Sequence, residues 1–251
     1  MKAMYRVALM MAAVVLMASA PACASEMDDR IESSARNSYV FKTYLQGDDI
    51  KIESKDGVVT LTGVVSEEPR KALAQETVAG LPEVKSVDNR LGTKGAPPTA
   101  NSDAWLTEKV KTELLFHRNV SGSTTEVHVQ DGIVTLRGEV ASQAQKELTT
   151  EYAKDVEGVK DVKNEMNMSQ TSKTTTEYVM ESIDDASITA QVKMTLLYHR
   201  STSALSTKVE TSEGVVTLNG KAKNAAEKEL VTKLVNDING VRSINNRMSI
   251  E

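Results

Sequence analysis

The sequence is poor in cysteine and in aromatic residues: it holds one Cys, one Trp, two Phe and six Tyr among 251 residues. Because the cysteine, Cys23, lies in an N-terminal segment expected to be removed, the mature chain would contain neither a disulfide nor a thiolate metal site. So few aromatic rings leave little material for a sugar-stacking surface, which makes a cell-wall glycan the least supported class of ligand. We therefore expect a fold stabilised by packing alone.

Long apolar runs are also missing beyond the N-terminus. Lys2 and Arg6 precede an apolar run over residues 7–17, and small residues ending in Ala-Cys-Ala follow it. This pattern is typical of a secretory signal peptide, which we assign to residues 1–24. The run is shorter than the roughly 20 residues that cross a membrane as a helix. The sequence therefore predicts export to the periplasm and a mature chain that is soluble or peripheral.

Two processing routes compete for Cys23. Cleavage after Ala24 would discard this residue, whereas cleavage before it would leave Cys23 as the lipid-bearing N-terminus of an outer-membrane lipoprotein. Lipoprotein signals usually carry a branched aliphatic residue three places earlier, where this chain has Ala20. Cleavage after Ala24 is therefore favoured, and the lipoprotein stays the alternative.

Clustered positive charge is absent as well. The formal net charge of −5 becomes −7 once Lys2 and Arg6 are removed. Phosphate binding depends on clustered Lys and Arg, so this balance argues against a nucleic-acid partner.

What the chain does contain is a repeat. The phrase "DGVVTLTG" at 56–63 returns as "DGIVTLRG" at 131–138 and as "EGVVTLNG" at 213–220. The offsets of 75 and 82 residues also relate apolar and asparagine positions throughout each unit, and the seven additional residues fall between units. We predict module 1 over 25–94, module 2 over 102–169 and module 3 over 184–251, joined by linkers over 95–101 and 170–183.

Each module has the same order of elements: helix, strand, strand, helix, strand. The first helix buries a stripe at i, i+4, i+8 spacing; the second has its predicted stripe at Leu230, Leu234 and Ile238 in module 3, and at Leu148, Tyr152 and Val156 in module 2. Predicted N-caps of the second helix are Ser66, Ser142 and Asn224. The first module has Glu83 where Gly158 and Gly240 would close this helix, so its helix is expected to stop earlier.

Glycines mark the hairpin in every module. An Asp-Gly or Glu-Gly pair joins the two strands, because both central residues of a tight hairpin turn take positive φ. A second glycine ends the phrase, where it indicates a bulge or a close backbone approach. We interpret all six as structural: Gly57, Gly63, Gly132, Gly138, Gly214 and Gly220.

These elements predict an α+β fold of three tandem small α-β-β-α-β modules, each with two helices packed on one face of a three-stranded mixed sheet. The polar and proline-containing spacers at 92–101 and 169–184 favour beads on a string that dock only in part.

The helix–hairpin–helix–strand order, the "DGxVTLxG" phrase and the "GVKxVxNxM" ending together resemble the BON domain. The resemblance covers nearly all of residues 26–250, three times over. It implies a periplasmic location, association with phospholipid at a membrane surface, and a role in envelope integrity or osmotic stress. Some relatives of this kind resemble chaperones for exported proteins.

Catalytic equipment is not evident. His117 and His199 are equivalent by the repeat offset and stand at helix ends, where a cation suits the macrodipole, and His128 lies in a strand. Neither a metal-ligand spacing nor a nucleophile or phosphate-loop motif occurs. We predict a protein that is not an enzyme and needs no cofactor or metal.

An aromatic residue beside a basic residue recurs where the first helix ends. Such a pair can contact lipid headgroups, although the aromatic ring can equally close the end of the core. Trp105 is a second candidate anchor, with docking between modules as its other use. The candidate contacts for lipid or a partner are Phe41, Lys42, Trp105, Phe116, His117, Arg118, Tyr198, His199 and Arg200.

Two functions therefore stay open. The first is a module array that binds anionic phospholipid at the periplasmic membrane surface. The second is a periplasmic holdase or scaffold that binds apolar segments of other envelope proteins. The salt dependence of binding distinguishes these two functions, because screening weakens headgroup binding more than apolar binding.

Overall fold

The computed structural model describes residues 20–95, 98–169, 183–202 and 207–251. The predicted signal peptide lies almost wholly outside this part of the chain, as does most of the predicted linker 170–183. The side chains of residues 20–25, including Cys23, also lie outside it.

Each module contains the predicted elements. Module 1 comprises α1 (Ala20–Asn37), α2 (Tyr39–Thr43), β1 (Asp49–Lys55), β2 (Val58–Val65), α3 (Glu68–Ala79) and β3 (Ser86–Thr93). Module 2 comprises α4 (Asp103–Phe116), a 3₁₀ turn (Gly122–Thr124), β4 (Glu126–Gln130), β5 (Ile133–Arg137), β6 (Glu139–Val140), α5 (Gln143–Asp155), β7 (Asp161–Asn164) and β8 (Asn167–Met168). Module 3 comprises α6 (Asp185–Tyr198), β9 (Thr207–Ser212), β10 (Val215–Ala222), α7 (Ala225–Asn236), β11 (Ser243–Asn246) and β12 (Ser249–Ile250).

The sheets are mixed, as predicted. In module 1 the order is β1-β2-β3, with β1 antiparallel and β3 parallel to the central strand β2. The equivalent strands of modules 2 and 3 pair in the same way. Alternate residues of β2 are fully buried, as Val59 and Leu61 show, so one face of the sheet packs on the helices.

The hairpin turns have the predicted geometry. Asp56 and Gly57 have φ of 54° and 80°, and the other two turns are nearly identical. A Cβ on Gly63 would collide with the carbonyl oxygen of Asp49 on the neighbouring strand, which explains the second glycine of the phrase.

An aspartate of each first helix fixes the hairpin turn; it is the first helical residue in modules 2 and 3 and lies mid-helix in module 1. Asp103 accepts hydrogen bonds from the backbone N–H groups of Asp131 and Gly132 at 2.7 and 2.8 Å. Asp28 and Asp185 do the same in modules 1 and 3. Each carboxylate lies 28 residues before the turn that it binds, so this clamp is a feature of the repeat.

The repeated asparagine ties the last strand to the second helix. The Asn164 side chain donates to the carbonyl oxygen of Lys146 on α5 at 2.9 Å and accepts from the backbone N–H of Met166 at 3.0 Å. Asn246 makes the equivalent bonds in module 3. The buried Met166 and Met248 are thereby held against the core, which accounts for the asparagine and methionine of the motif.

Two local predictions about the second helix are wrong in module 1. Ser142 and Asn224 cap their helices as expected, but α3 has Glu67 at the N-cap, and the Ser66 hydroxyl has no hydrogen-bond partner. The helix does not stop early either, because Ala79 is equivalent by the repeat offset to Asn236, the last residue of α7. Glu83 takes the left-handed conformation at φ 67° without being glycine.

The expected beads on a string are also wrong, because the cores of the modules merge. One apolar cluster combines side chains of modules 1 and 3 with Phe116 from module 2. The other consists of module 2 side chains together with Leu234 of module 3. The predicted stripe of α7 is therefore partly an inter-module surface, and Val231 and Val235 face the other cluster. Apolar side chains on two faces of a helix allow packing against two modules.

The clamp of Asp28 gives a pH-dependent prediction. Hydrogen bonds from the Ser54 side chain and the Gly57 backbone hold the pKa of Asp28 below its ordinary value. A group with a lowered folded pKa stabilises the fold above its unfolded pKa and loses this effect as the pH falls through the folded pKa. We expect Asp28→Asn to lower the urea midpoint at neutral pH, and the difference from wild type to shrink below about pH 4.

Urea unfolding followed by circular dichroism at neutral and acid pH measures this difference. Asp29→Asn, at the exposed neighbouring position, is the matched control and should have little effect at either pH. An equal loss of stability from Asp28→Asn at both pH values would contradict the prediction.

Candidate functional site

Most of the predicted contact residues meet at the joint between modules 2 and 3. The backbone N–H of Asn239 donates to the carbonyl oxygen of Phe116 at 2.9 Å, and that of Glu157 donates to Tyr198 at 2.8 Å. These two bonds are related by the repeat offset, as are the antiparallel bridges His117 to Ile238 and Val156 to His199. The joint is therefore reciprocal, with each module offering the same two segments to the other.

The two arginines clamp this joint from opposite sides. Arg118 donates through its guanidinium to the carbonyl oxygens of Ile238 and Val241, both at 2.7 Å. Arg200 donates to the equivalent carbonyls of Val156 and Val159 and to that of Lys154. Both arginine residues are exposed overall, but their guanidinium groups contact the neighbouring module.

A buried polar cluster lies beside Arg118. The His117 side chain is 0% exposed, and its Nε2 lies 3.0 Å from Oε1 of Glu113. The ring stacks on Tyr152 with 3.6 Å between centroids, and the Tyr152 hydroxyl donates to Asp237 of module 3 at 2.5 Å. Burial, and then the hydrogen bond to Asp237, raise the pKa of Tyr152. The cluster joins modules 2 and 3 by polar contacts that no single module contains.

The equivalent histidine has a different role. Nδ1 of His199 accepts from the backbone N–H of Ser201 at 3.0 Å, and Nε2 lies 3.6 Å from Oδ2 of Asp155 in module 2. Both histidines are buried, so neither is a free surface cation at a helix end.

Trp105 also belongs to the joint. Nζ of Lys109 lies 3.9 Å from the Trp105 ring centroid and 4.9 Å from that of Tyr198 in module 3, so one cation contacts two rings. Burial lowers the pKa of Lys109 and raises that of Tyr198.

Module 1 docks through different contacts. The fully buried Phe116 packs edge-on against Tyr44, whose hydroxyl donates to the carbonyl oxygen of Leu115 at 3.1 Å. Asp184 of module 3 accepts from the backbone N–H of Tyr39 at 2.7 Å and also caps α6. Full burial of a phenylalanine contributes about 1.5–3 kcal/mol, so Phe116 is a principal contact between modules.

Phe41 and Lys42 are the predicted contacts that remain accessible outside the joint. They line a groove of about 540 Å³ between α2 and β1, together with Arg36, Leu45, Ile50 and Ile52. Phe41 is partly buried and Lys42 is exposed. The repeat offset pairs Phe41 with Phe116, but the chain here continues as helix α2 beyond Phe41 instead of becoming extended.

Sequence reasoning missed Asp184 and Asp237, which bond to other modules, and Glu113, which pairs with His117 of its own helix in the buried cluster. Glu113 carries a usable signal, because it lies four residues before His117 on one helix face. Asp184 and Asp237 act on other modules, and no spacing within one module reveals that.

Among the described residues, no group of three His, Cys, Asp or Glu side chains could hold a metal ion. Within that same part of the chain, no helix is long and apolar enough to span a bilayer.

The arginine clamp predicts an effect of charge removal. We expect Arg118→Met to lower the free energy of unfolding by about 1.5–3 kcal/mol, because two carbonyls in the joint lose a charged donor. Arg137→Met removes an exposed ion pair with Glu165 and should change the stability by no more than about 0.5 kcal/mol. Urea unfolding measures both, and equal costs for the two variants would contradict the role of Arg118.

Three buried tyrosines lie at contacts between modules, and we predict that these contacts are lost at high pH. Burial is the main cause of the raised pKa of Tyr44, Tyr152 and Tyr198. A group with a raised folded pKa stabilises the fold fully below its unfolded pKa, near pH 10, and loses this effect as the pH rises further. We expect these three side chains to ionise only together with the loss of tertiary structure.

Tyrosinate absorbance and near-ultraviolet circular dichroism, recorded during an alkaline titration, test this expectation. Tyr152→Phe should reduce the late-ionising group by one. Ionisation of every tyrosine near pH 10 with an unchanged near-ultraviolet spectrum would refute it.

Comparison with known proteins finds one domain family that matches the chain in three places, and it also finds similar whole proteins. The sequence profile described as "BON domain" matches residues 27–95, 102–170 and 184–251. The chain is 32% identical over 144 residues to the "Osmotically-inducible protein Y" of Escherichia coli (strain K12), covering 57% of this chain and 70% of that protein. It is 29% identical over 123 residues to a "21 kDa hemolysin" of Actinobacillus pleuropneumoniae, covering 48% and 63%.

Among solved structures, CdsD, a structural protein of the type III secretion system of Chlamydia trachomatis, aligns with 84% of this chain and 90% of its own. The identity is 17% and the TM-score is 0.25, which is too low to guide an interpretation. The profile matches span most of the sequence, and the relative from Escherichia coli is covered over more than two thirds of its length. The chain therefore belongs to the BON domain family, and it carries the domain three times.

Proposed function

We propose that this protein is a non-enzymatic periplasmic protein that binds anionic phospholipid at a membrane surface and supports the envelope under osmotic stress. The similarity to a protein named for osmotic induction supports the setting of this proposal. The observation that carries the lipid assignment is the groove of module 1, where an aromatic ring and cations stay accessible beside apolar side chains.

The groove has the chemistry that a lipid headgroup and the first carbons of an acyl chain require. Phe41, Leu45 and Ile50 supply apolar walls, and Lys42 supplies positive charge at the rim. The charge of Arg36, which also lines the groove, is compensated by Glu32 at 2.9 Å. The acidic lining residue Asp48 is ion-paired with Arg70 at 3.1 Å, so its charge is largely compensated. An aromatic ring in the interface with a cation near the phosphate is a favourable arrangement at an anionic surface.

The contacts between modules 2 and 3 restrict the proposed lipid-binding site to module 1. Phe116, His117, Tyr198 and His199 are buried between modules, and the charged ends of Arg118 and Arg200 are bonded to carbonyls. Lipid contact by those six residues would require the modules to separate, whereas Phe41 and Lys42 need no rearrangement.

A holdase or scaffold for exported envelope proteins is the second candidate. Met168 and Ile250 occupy equivalent positions on the terminal strands β8 and β12 and are 59% and 52% exposed. Exposed apolar side chains at the end of a strand suit an extended apolar segment of another protein.

Liposome flotation tests the lipid proposal. The mature protein should float with vesicles containing anionic lipid at low salt, and binding should fall several-fold at high salt because charges are screened. Lys42→Glu and Phe41→Ser should each reduce flotation, whereas Lys163→Glu, at an exposed position on the module 2 sheet, should not.

Three outcomes would count against lipid binding by this groove. A protein that never floats at low salt removes the lipid proposal. Flotation that persists unchanged in Lys42→Glu and Phe41→Ser places the contact elsewhere, and binding that withstands high salt favours the apolar alternative.

A further inference from the structure

The helical layers of the three modules are largely covered within the chain. Eleven of the fourteen residues of α6 are buried, including the polar Ser187, Gln191 and Thr195. A helix on the sheet of an isolated two-layer module buries one face and exposes the other, so modules 1 and 2 cover what module 3 leaves exposed. The sheets are therefore the surfaces that stay open to a further partner.

The sheets of modules 2 and 3 end in short strands that have one free side. β8 pairs with β6, and β12 pairs with β10, both in parallel. No other strand of the described residues pairs with β8 or β12. Such an edge offers its backbone N–H and C=O groups to a strand of another chain.

Each of these two edges carries an exposed apolar side chain at the same repeat position. Met168 of β8 is 59% exposed, and Ile250 of β12 is 52% exposed. The equivalent residue of module 1 is the polar Thr93. Modules 2 and 3 thus share an apolar contact at the end of the sheet that module 1 lacks.

The sheet end of module 3 is basic. Lys221, Lys223 and Arg247 are all exposed, and they lie close to Ile250 in the fold. Lys221 is the register partner of Ser249, the residue before Ile250, and Arg247 comes two residues before Ser249. We call the surface formed by Lys221, Lys223, Arg247 and Ile250 the cationic end.

The charges of the cationic end stay available for a partner. Within the described residues, the ion pairs formed by lysines of module 3 involve Lys193, Lys208 and Lys233 instead. Glu251 follows Ile250 and opposes one of the three positive charges. The surface therefore combines a net positive charge with an exposed aliphatic side chain.

The repeat-equivalent surface of module 2 has the opposite charge. Glu139 and Glu165 occupy the positions of Lys221 and Arg247, and both glutamates are exposed. Glu165 forms an ion pair with Arg137 at 2.8 Å, whereas Glu139 belongs to no ion pair in the described part of the chain. We call the surface formed by Glu139, Glu165 and Met168 the acidic end.

We propose that the cationic end of module 3 docks on the acidic end of module 2 in a second copy of this chain, with Ile250 against Met168. Opposite charges at equivalent positions favour this pairing over the contact of two like ends, which would bring cations or carboxylates together. Because the two docking surfaces differ, the contact is head-to-tail and leaves one end of each copy free. The assembly grows as a row of copies and does not stop at a two-fold dimer.

A second copy fits these surfaces better than a lipid bilayer does. An anionic bilayer would attract the cationic end and repel the acidic end, so the acidic end would have no role. It would also leave the backbone groups of the free strand edges without hydrogen-bond partners. A strand of another copy supplies both the complementary charge and these partners.

Sedimentation velocity of the full mature chain measures this association. At low salt the mean sedimentation coefficient should rise with concentration up to about 1 mM without a plateau at the dimer, because small contacts associate weakly. High salt should reduce the association several-fold, because it screens the charges.

Variants of the cationic end make the measurement specific. Lys221→Glu combined with Arg247→Glu should leave the chain monomeric, and Ile250→Ser should weaken association at both salt concentrations. Lys55→Glu, at an exposed position of module 1, is the matched control and should associate as wild type does. All of these side chains are exposed, and circular dichroism verifies that the variants are folded.

A mixture of two variants tests the polarity of the contact. The variant with Lys221→Glu and Arg247→Glu keeps its acidic end, and a Glu139→Lys variant keeps its cationic end. Each variant alone should stay monomeric. Their mixture should form a one-to-one complex that does not grow further.

Several results would overturn the proposal. A chain that stays monomeric at every concentration and salt leaves the strand edges to an extended client segment. Association that persists in both charge variants, or a mixture that stays monomeric, places the contact elsewhere. Loss of vesicle flotation in the variant with Lys221→Glu and Arg247→Glu, in a chain that does not self-associate, assigns the cationic end to lipid. The groove of module 1 is tested by Lys42→Glu, so lipid binding there can fail without affecting self-association.

Discussion

The face of helix α6 that points away from its own sheet must be kept from water, and the arrangement of the whole chain depends on this constraint. A module of about 65 residues buries only roughly 60% of the surface that its unfolded chain exposes, so each unit has apolar surface left over. In this protein the leftover surface lies on the helices, and the three helical layers turn towards one another. Phe116 shows the result: it ends a helix of module 2, yet it packs in the cluster of modules 1 and 3.

Three similar sequences thereby form an unequal assembly. Modules 2 and 3 bind each other through one segment pair used twice, which is the logic of an isologous dimer built into one chain. Module 1 cannot join in this way, since a threonine and a proline replace its arginine and its N–H donor. The chain thus combines a firm pair with a third unit that depends on side-chain contacts and shape.

The sequence was sufficient for the hairpin turns, the strand alternation and two of the three helix caps. The Asp-Gly turn, the alternation of Val59 and Leu61, and the caps at Ser142 and Asn224 depend on local geometry, which one module specifies by itself.

Contacts between modules could not be predicted in the same way. Leu230 and Leu234 are larger than Val231 and Val235 and were assigned to the core of module 3, yet Leu234 packs with module 2. Size and periodicity indicate that a face is buried but do not say against which neighbour. The aromatic and basic residues at the helix ends raise the same ambiguity, because exposure and docking fit their chemistry equally well. Contacts between residues 41 to 123 positions apart in the chain decide between the two.

The clamp from the first helix to the hairpin turn bears on how such a chain comes to be folded. Each aspartate and its turn are separated by only 28 residues, so a helix start and a β-hairpin can find each other before any distant partner is available. Native contacts of short sequence separation form early because little chain entropy is lost in closing the loop. A module can therefore acquire its own topology first, and burial of the shared helix follows as a later assembly step.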